Sequence, residues 1–464
     1  MSILRILILA LCLSLPLSLS ILHQAQAQAQ AQDQTKFWIG SYGRMGLSVD
    51  PKGRSGQVLQ ITPYKPRLLE DNYMELDIGY HAYQGQYGKV DMVTTTAYFD
   101  QIFHYDGQAK AQLALRRAFV EVKELAGTDY FISLGTRWLR GNDIYLLNFW
   151  PLDDLNTMGL TVGKRNRSIN TFLHWGLSRL DQKWQTQRVF VPSATGFGAE
   201  EILFLDRQRN ITAFHYECLY ETKGGMGWKW KFYAEHHALP SGSRALDGSY
   251  TQTEQLPDDL GFLVGLQLSL WKIRHPQDFL NLWIRYAKGL AVFDELASPY
   301  GLARDQRSWK ASEYRIAMAG NHVFSRLSIQ WGGYFRAFRD ADGQKIDFDD
   351  RQDASLVVRP QLNYGFFTPA IEASTQLSYA NGLTPTSQRQ GLASIYQFAL
   401  IPAISFGEEI GSFTRPQLRL IYSVSLLNPL ALERFAPIDP RSQASIVHYL
   451  GARVEWWFGR GGGY

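Results

Sequence analysis

Apolar and polar residues alternate over long stretches of this chain. In FWIGSYGRMGLS, residues 37–48, Phe37, Ile39, Met45 and Leu47 fall on one side, and Trp38, Tyr42 and Arg44 on the other. YMELDIGYHAY at 73–83 sets Met74, Leu76, Ile78, Tyr80 and Ala82 against Tyr73, Glu75, Asp77, His81 and Tyr83. DYFISLGTRW at 129–138 opposes Tyr130, Ile132, Leu134 and Thr136 to Asp129, Ser133 and Arg137. Near the end, ASIVHYLGARVEWWF at 444–458 places Ile446, His448, Leu450, Ala452, Val454, Trp456 and Phe458 opposite Val447, Tyr449, Gly451, Arg453, Glu455 and Trp457. A period of two marks β-strands. Similar runs are expected near 89–100, 113–124, 158–164, 168–179, 210–221, 227–236, 261–273, 279–290, 311–320, 324–338, 354–364, 370–380, 392–406 and 415–427. Turn-rich patches such as PSATGFGAE, SGSRALDGS, RDADGQKIDFDD and NGLTPTSQRQ separate several of them. The expectation is an all-β chain of about 18 strands, with 16 possible. At roughly 24 residues per strand plus connection, 18 strands use up the length that follows the N-terminal segment.

Alternation alone also describes a half-buried strand in a soluble sandwich, and composition separates the two cases. Aromatics make up 14% of the chain, with 13 Trp and 24 Tyr, yet the mean hydropathy is slightly negative. A transmembrane antiparallel β-barrel combines those features: half of each strand faces water, and Trp and Tyr girdle the lipid boundaries. The N-terminus fits export. Arg5 precedes an apolar stretch from Ile6 to Leu22, and a repeated Ala-x-Ala follows. Residues 1–31 read as a signal peptide cleaved within 27–31, rather than as an anchor. Residues 32–464 then form one barrel domain, with a short extension, 459–464, beyond Phe458. Leu11 before Cys12 is too large for a usual lipoprotein site. Beyond that segment only Cys218 carries a thiol, so no internal disulfide is expected. A net charge of +4 argues against a nucleic-acid partner. The expected setting is the bacterial outer membrane, with lipid against the apolar stripes.

Lipid cannot satisfy an open sheet edge. The strand at 37–48 must therefore pair with the strand at 445–458 and close the cylinder. RGNDIYLLNFWPLDDLNTM at 140–158 breaks the alternation with clustered acids, aromatics and Pro151. That mix suits a constriction loop folded into the bore.

Seven segments carry a family resemblance: GSYGR (40–44), YMEL (73–76), RRAFVE (116–121), GTRWLRGNDIYLLNFWPLDD (135–154), VRPQLNY (358–364), RPQLRL (415–420) and GARVEWWF (451–458). In that order the chain resembles the maltoporins, sugar-selective porins of the bacterial outer membrane. The resemblance implies an 18-stranded barrel, a homotrimer, and an aromatic track guiding maltose- or maltodextrin-type oligosaccharides. It implies Tyr42, Tyr73, Trp150, Tyr364 and Trp457 as track aromatics. Arg44, Arg67, Glu75, Arg116, Arg137 and Asp143 would supply hydrogen bonds. The chain departs from the family pattern in places. No Trp lies near Gln108, a constriction arginine falls on Gly141 with Arg140 beside it, and an acid becomes Asn148.

The chemistry stands apart from the resemblance. A sugar ring has two C–H faces that suit flat aromatics, and a hydroxyl rim that suits ionised partners. Tyr42 with Arg44, Tyr73 with Glu75, and Glu455 with Trp457 are spaced i, i+2, which puts each pair on one strand face. A series of weak sites permits both entry and exit. Inward Arg and Glu also pair across strands simply to neutralise one another, and Arg44, Arg453 and Glu455 fit that role too. Strand parity groups Arg116 with Ala118 and Val120 on the lipid side, unless it precedes the strand or a bulge resets the register. The alternative function is a general diffusion porin for ions and small solutes. No enzyme is expected, because no Gly-x-Ser-x-Gly or His/Asp/Ser grouping is evident. No cofactor or metal is expected: His236 and His237 are adjacent and point opposite ways on a strand. Asp153–Asp154, Asp349–Asp350 and Glu408–Glu409 read as solvated loop charge.

Overall fold

The structure is a computed structural model that describes residues 36–101, 110–182, 184–246, 252–384, 386–407 and 411–459. The expected signal peptide, Gln108, Glu408, Glu409 and residues 460–464 of the extension lie outside the described residues.

Eighteen antiparallel strands close into a barrel: β1 (Phe37–Val49), β2 (Tyr73–Gly85), β3 (Gly88–Gln101), β4 (Lys110–Lys123), β5 (Tyr130–Arg140) and β6 (Asp154–Arg165). The circuit continues through β7 (Ile169–Ser178), β8 (Arg209–Glu221), β9 (Gly227–Leu239), β10 (Asp259–Trp271), β11 (Phe279–Gly289) and β12 (Ser312–Phe324). It is completed by β13 (Leu327–Arg339), β14 (Asp347–Leu362), β15 (Ala370–Asn381), β16 (Leu392–Ile401, resuming as Ala403–Ser405), β17 (Gln417–Leu427) and β18 (Ile446–Phe458). Each strand pairs with the next, and β1 pairs with β18 from Ser41 opposite Phe458 to Val49 opposite Leu450. The closure expected from the sequence is therefore present, and no sheet edge is left for lipid to satisfy. No helix among the described residues is long and apolar enough to cross a membrane; the strands cross it.

Every strand run anticipated from the alternation is a barrel strand, with three differences. β14 begins at Asp347, because the acidic run 347–353 extends the strand beyond the apolar band. β6 begins at Asp154, inside the stretch expected to be loop. The turn-rich patch at 241–249 contains Gly242–Ala245, which pairs with Thr253–Leu256. A second small hairpin, Thr186–Pro192 with Ala199–Asp206, stands on the same rim. One end of the barrel has short turns such as 86–87 and 325–326; the other carries the long connections 50–72, 141–153, 179–208 and 290–311. Barrels of this kind put short turns in the periplasm and long loops outside the cell.

The side-chain alternation is that of a lipid-facing wall around a wet bore. Phe37, Ile39 and Leu47 are 59–70% exposed on the outside of β1. On β18, Ile446, Leu450 and Phe458 face out, while Glu455 is 1% exposed. His236 is exposed and its neighbour His237 is buried beside Glu235, as adjacent strand positions must be.

Two long loops turn inward. In 141–153, Ile144, Leu146, Leu147, Phe149 and Leu152 are buried in one cluster with Ile211, Tyr233, Leu263, Trp283, Tyr334 and Val357 of β8–β14. Glycines on the wall make room for it. A Cβ at Gly332 would lie 2.3 Å from Ile144 Cγ2, and one at Gly265 2.4 Å from Leu152 Cδ1. This is the expected constriction loop, and burial of each of those side chains contributes about 1.5–3 kcal/mol. The second inward loop, 50–72, was not expected. Its Leu68 and Leu69 pack on Ala399, Ile401, Ile421 and Tyr449, and its Leu59 and Ile61 pack on Ile395 and Leu427. Tyr64 stacks on Phe149 with ring centroids 3.6 Å apart, joining the two loops inside the bore.

Candidate functional site

The two inward loops leave a cavity of about 500 Å³ against the β1–β6 side of the bore. β1 contributes Tyr42 and Arg44, and β2 contributes Tyr73 and Glu75. Arg116, Arg140, Asp154 and Trp457 come from β4, β5, β6 and β18. Asp143, Tyr145, Asn148 and Trp150 come from the constriction loop, Arg67 from loop 50–72, and Phe413 from the turn after β16.

Nine of the eleven residues singled out from the sequence thus border one cavity: Tyr42, Tyr73, Trp150, Trp457, Arg44, Arg67, Glu75, Arg116 and Asp143. Two do not. Tyr364 lies past the end of β14, in the turn at 363–369, 67% exposed and with Arg326 over its ring. The strand ends at Leu362, and residue 364 shares the parity of Leu356 and Leu362, which face outward, so alternation does not turn it toward the bore. Arg137 faces inward as its parity requires, but it pairs with Glu121 and bonds Ser133 Oγ at 3.2 Å. It belongs to the wall outside the cavity.

Arg116 enters the cavity because of a bulge. Thr95 opposes Arg117 and Thr96 opposes Leu115, so Arg116 is the extra residue on β4. Leu113 and Leu115 face out on one side of it, and Val120 faces out on the other. Arg116 and Arg117 both turn inward. Arg117 Nη2 reaches Asp77 Oδ1 at 2.7 Å, and both guanidinium groups lie against Trp138, 4.7 and 5.5 Å from its ring centre.

Glu455 anchors the β18 side. It pairs with Arg67 at 3.0 Å, Arg415 at 2.9 Å and Arg419, and accepts the Tyr145 hydroxyl at 2.6 Å. Of the two roles open to it, Glu455 takes the wall network. Through it, Arg67 and Arg415 become platforms: Arg67 lies over Tyr145 at 4.3 Å, and Arg415 over Trp457 at 4.5 Å. Arg44 donates to the Tyr42 hydroxyl at 3.0 Å and pairs with Glu70 at 3.2 Å. The Tyr73 hydroxyl donates to Glu75. Burial pushes the Asp143 carboxyl up, and the Arg67 guanidinium pulls it back. Asp153, expected to be solvated, is buried and held by Lys231 Nζ at 3.0 Å, because the constriction loop carries it into the wall.

The aromatics form two groups of neighbouring rings. Tyr42 and Tyr73 have ring centres 6.0 Å apart, Tyr145 and Trp457 6.1 Å, and Tyr145 and Phe413 5.5 Å. Sequence reasoning left Tyr145 and Phe413 out of the site. Tyr145 sits in the loop already marked by its mixed composition, whereas Phe413 has no sequence signal. Arg140, beside the Gly141 position, lies over Trp150 at 4.0 Å and Trp138 at 4.1 Å.

A closed cylinder of 18 strands, apolar outside and charged within, and narrowed by inward loops, is an outer-membrane channel of the porin class. Within that class the relationship is specific: residues 37–458 match the LamB porin family, and the chain belongs to that family. No curated protein matches the chain. Among solved structures it is similar to OccAB2 of Acinetobacter baumannii, at 8% identity and a TM-score of 0.44, covering 91% of this chain and 98% of that one. It is also similar to the outer-membrane channel DcaP of Acinetobacter baumannii, at 9% identity and a TM-score of 0.43, covering 91% and 96%. The trimer form of OmpT of Vibrio cholerae gives 8% identity and a TM-score of 0.40, covering 91% and 99%. Likenesses of that strength speak to neither solute nor assembly.

Proposed function

We propose that this channel admits oligosaccharides of the maltose and maltodextrin type by passive diffusion through the β1–β6 cavity. The supporting observation is the interleaving there of flat rings with ionised hydrogen-bonding groups. Tyr42, Tyr73, Tyr145, Trp150 and Trp457 offer surfaces for the C–H faces of a sugar. Arg44, Arg67, Arg116, Arg140, Glu75 and Asp143 offer partners for its hydroxyl rim. Both signs of charge line the cavity, which suits a neutral polyol better than a small ion of either sign. Three copies associate in this reading, as the maltoporin resemblance implies.

The test is a planar bilayer carrying the purified protein. Linear maltodextrins added to either side should block ion current in a saturable way, more strongly with chain length. Current that is indifferent to them would leave a general diffusion porin as the better description. Cross-linking in detergent should yield a species of three chains; a single-chain species at all protein concentrations removes the trimer.

A further inference from the structure

The outward face of β9–β13 differs from the rest of the wall at its long-loop rim. The strand registers place His236, Phe262, Lys288, Ser312 and Arg339 directly opposite one another in sequence around the barrel. Opposed residues of antiparallel strands share a face, so these five form one row, and exposed Phe262 shows that the row looks outward. Two residues deeper, the row is Ala234, Val264, Tyr286, Tyr314 and Ala337; two deeper again, it is Phe232, Leu266, Ile284, Ile316 and Phe335. Cations therefore crown a band that is otherwise aliphatic and aromatic. The rim of the opposite wall is different: Leu47, Leu426 and Ile446 are exposed there on β1, β17 and β18.

Loop 290–311 builds the β9–β11 part of this row, from His236 to Lys288, into a groove of about 560 Å³ that Asp258, Arg307 and Trp309 also line; Arg339 stands beyond it on the same row. Lys288 Nζ lies 5.4 Å from the Trp309 ring centre. Arg307 is engaged by Asp258 at 2.6 Å and Asp305 at 3.7 Å. Among the described residues, no carboxylate lies within salt-bridge distance of Lys288 or Arg339. Arg339 influences Asp350 only through space. The two cations are two strands apart, about 10 Å. Two cations without an ion-pair partner among the described residues, above an apolar ladder, complement an amphiphile with acyl chains and an anionic head.

We propose that the outward face of β9–β13 is a binding site for a lipid with a phosphate-bearing headgroup. Lys288 and Arg339 take the phosphates, Trp309 closes the side of the groove, and the acyl chains lie along the Tyr286–Tyr314 and Ile284–Ile316 rows. A headgroup with two phosphates reaches both cations.

The experiment uses the purified full chain in neutral detergent. The probes are a lipid with a bis-phosphorylated headgroup and phosphatidylcholine, and retention is read by native mass spectrometry. The wild type should retain the bis-phosphorylated lipid in preference to phosphatidylcholine. Lys288→Ala and Arg339→Ala should each weaken retention by about fivefold, and Leu47→Ala should leave it unchanged. Heat-modifiable migration on gels verifies that each variant is folded, and none of the three positions is packed in the core. Equal retention of both lipids, or unchanged retention in the double variant, overturns the proposal. So does displacement by millimolar inorganic phosphate, which would make the site an anion site with no use for the chains.

Discussion

Against β8–β14 the constriction loop is packed: its Leu146, Leu147 and Leu152 share one buried cluster with Tyr233, Trp283 and Tyr334 of the wall. Between β1 and β6 the same loop turns a different face, and Tyr145, Asn148 and Trp150 look across an open cavity at Tyr42, Tyr73 and Arg116. One segment of 13 residues therefore has a buried apolar side and a wet, aromatic and polar side. The comparison shows how an inward loop narrows a wide barrel. One side of the loop becomes part of a core, and the other borders a cavity whose walls are specified residue by residue.

The largest effect should come from loosening the packed side. Leu146→Ala combined with Leu147→Ala should lower stability by about 2–5 kcal/mol per site, read as a fall in thermal unfolding temperature in detergent. It should also raise single-channel conductance as the loop detaches. A destabilised protein with unaltered conductance would show that this loop does not set the width of the path. Next comes the anchor between the two sides. Glu455→Ala leaves Arg67, Arg415 and Arg419 facing one another, at a cost of about 3–5 kcal/mol, and should weaken sugar block along with stability. Smaller is the effect of Trp457→Ala, which removes a platform from the open side. Loss of about 0.5–1.5 kcal/mol should raise the concentration for half-block by roughly two- to tenfold while ion flow persists. The smallest should be Arg137→Gln, because its wall partner Glu121 keeps Lys123 and Arg165 at 3.6 Å: a modest fall in unfolding temperature and no change in sugar block. A strong effect of Arg137→Gln on block would move the boundary of the site toward the short-turn end.

The barrel was legible because lipid imposes its own grammar. A strand that meets hydrocarbon on one face and water on the other must alternate, so all 18 strands could be read from a period of two, and closure of 37–48 on 445–458 followed from the need to satisfy both edges. Loops obey no such period. The inward course of 141–153 showed through its mix of acids, Leu and Trp, but loop 50–72 passed unnoticed, although Leu59, Ile61, Leu68 and Leu69 flank Pro63 and Pro66 in a comparable mix. Tyr364 entered the site through the resemblance alone; its parity with outward Leu356 and Leu362 argues against a place on the lumen face. Tyr145 and Phe413 belong to the site through tertiary folding alone, since each comes from a connection rather than from a strand.

The irregularity on β4 carries a consequence for how such channels diversify. Ordinarily a residue gained in a membrane strand would invert every side chain beyond it, putting charge into oil and grease into water. Here the extra position at Arg116 restores the phase locally, so the oily stripe on either side stays intact while one additional guanidinium borders the cavity. Insertions of this sort let a lineage edit the lining of its pore one side chain at a time, without renegotiating the contract with the bilayer.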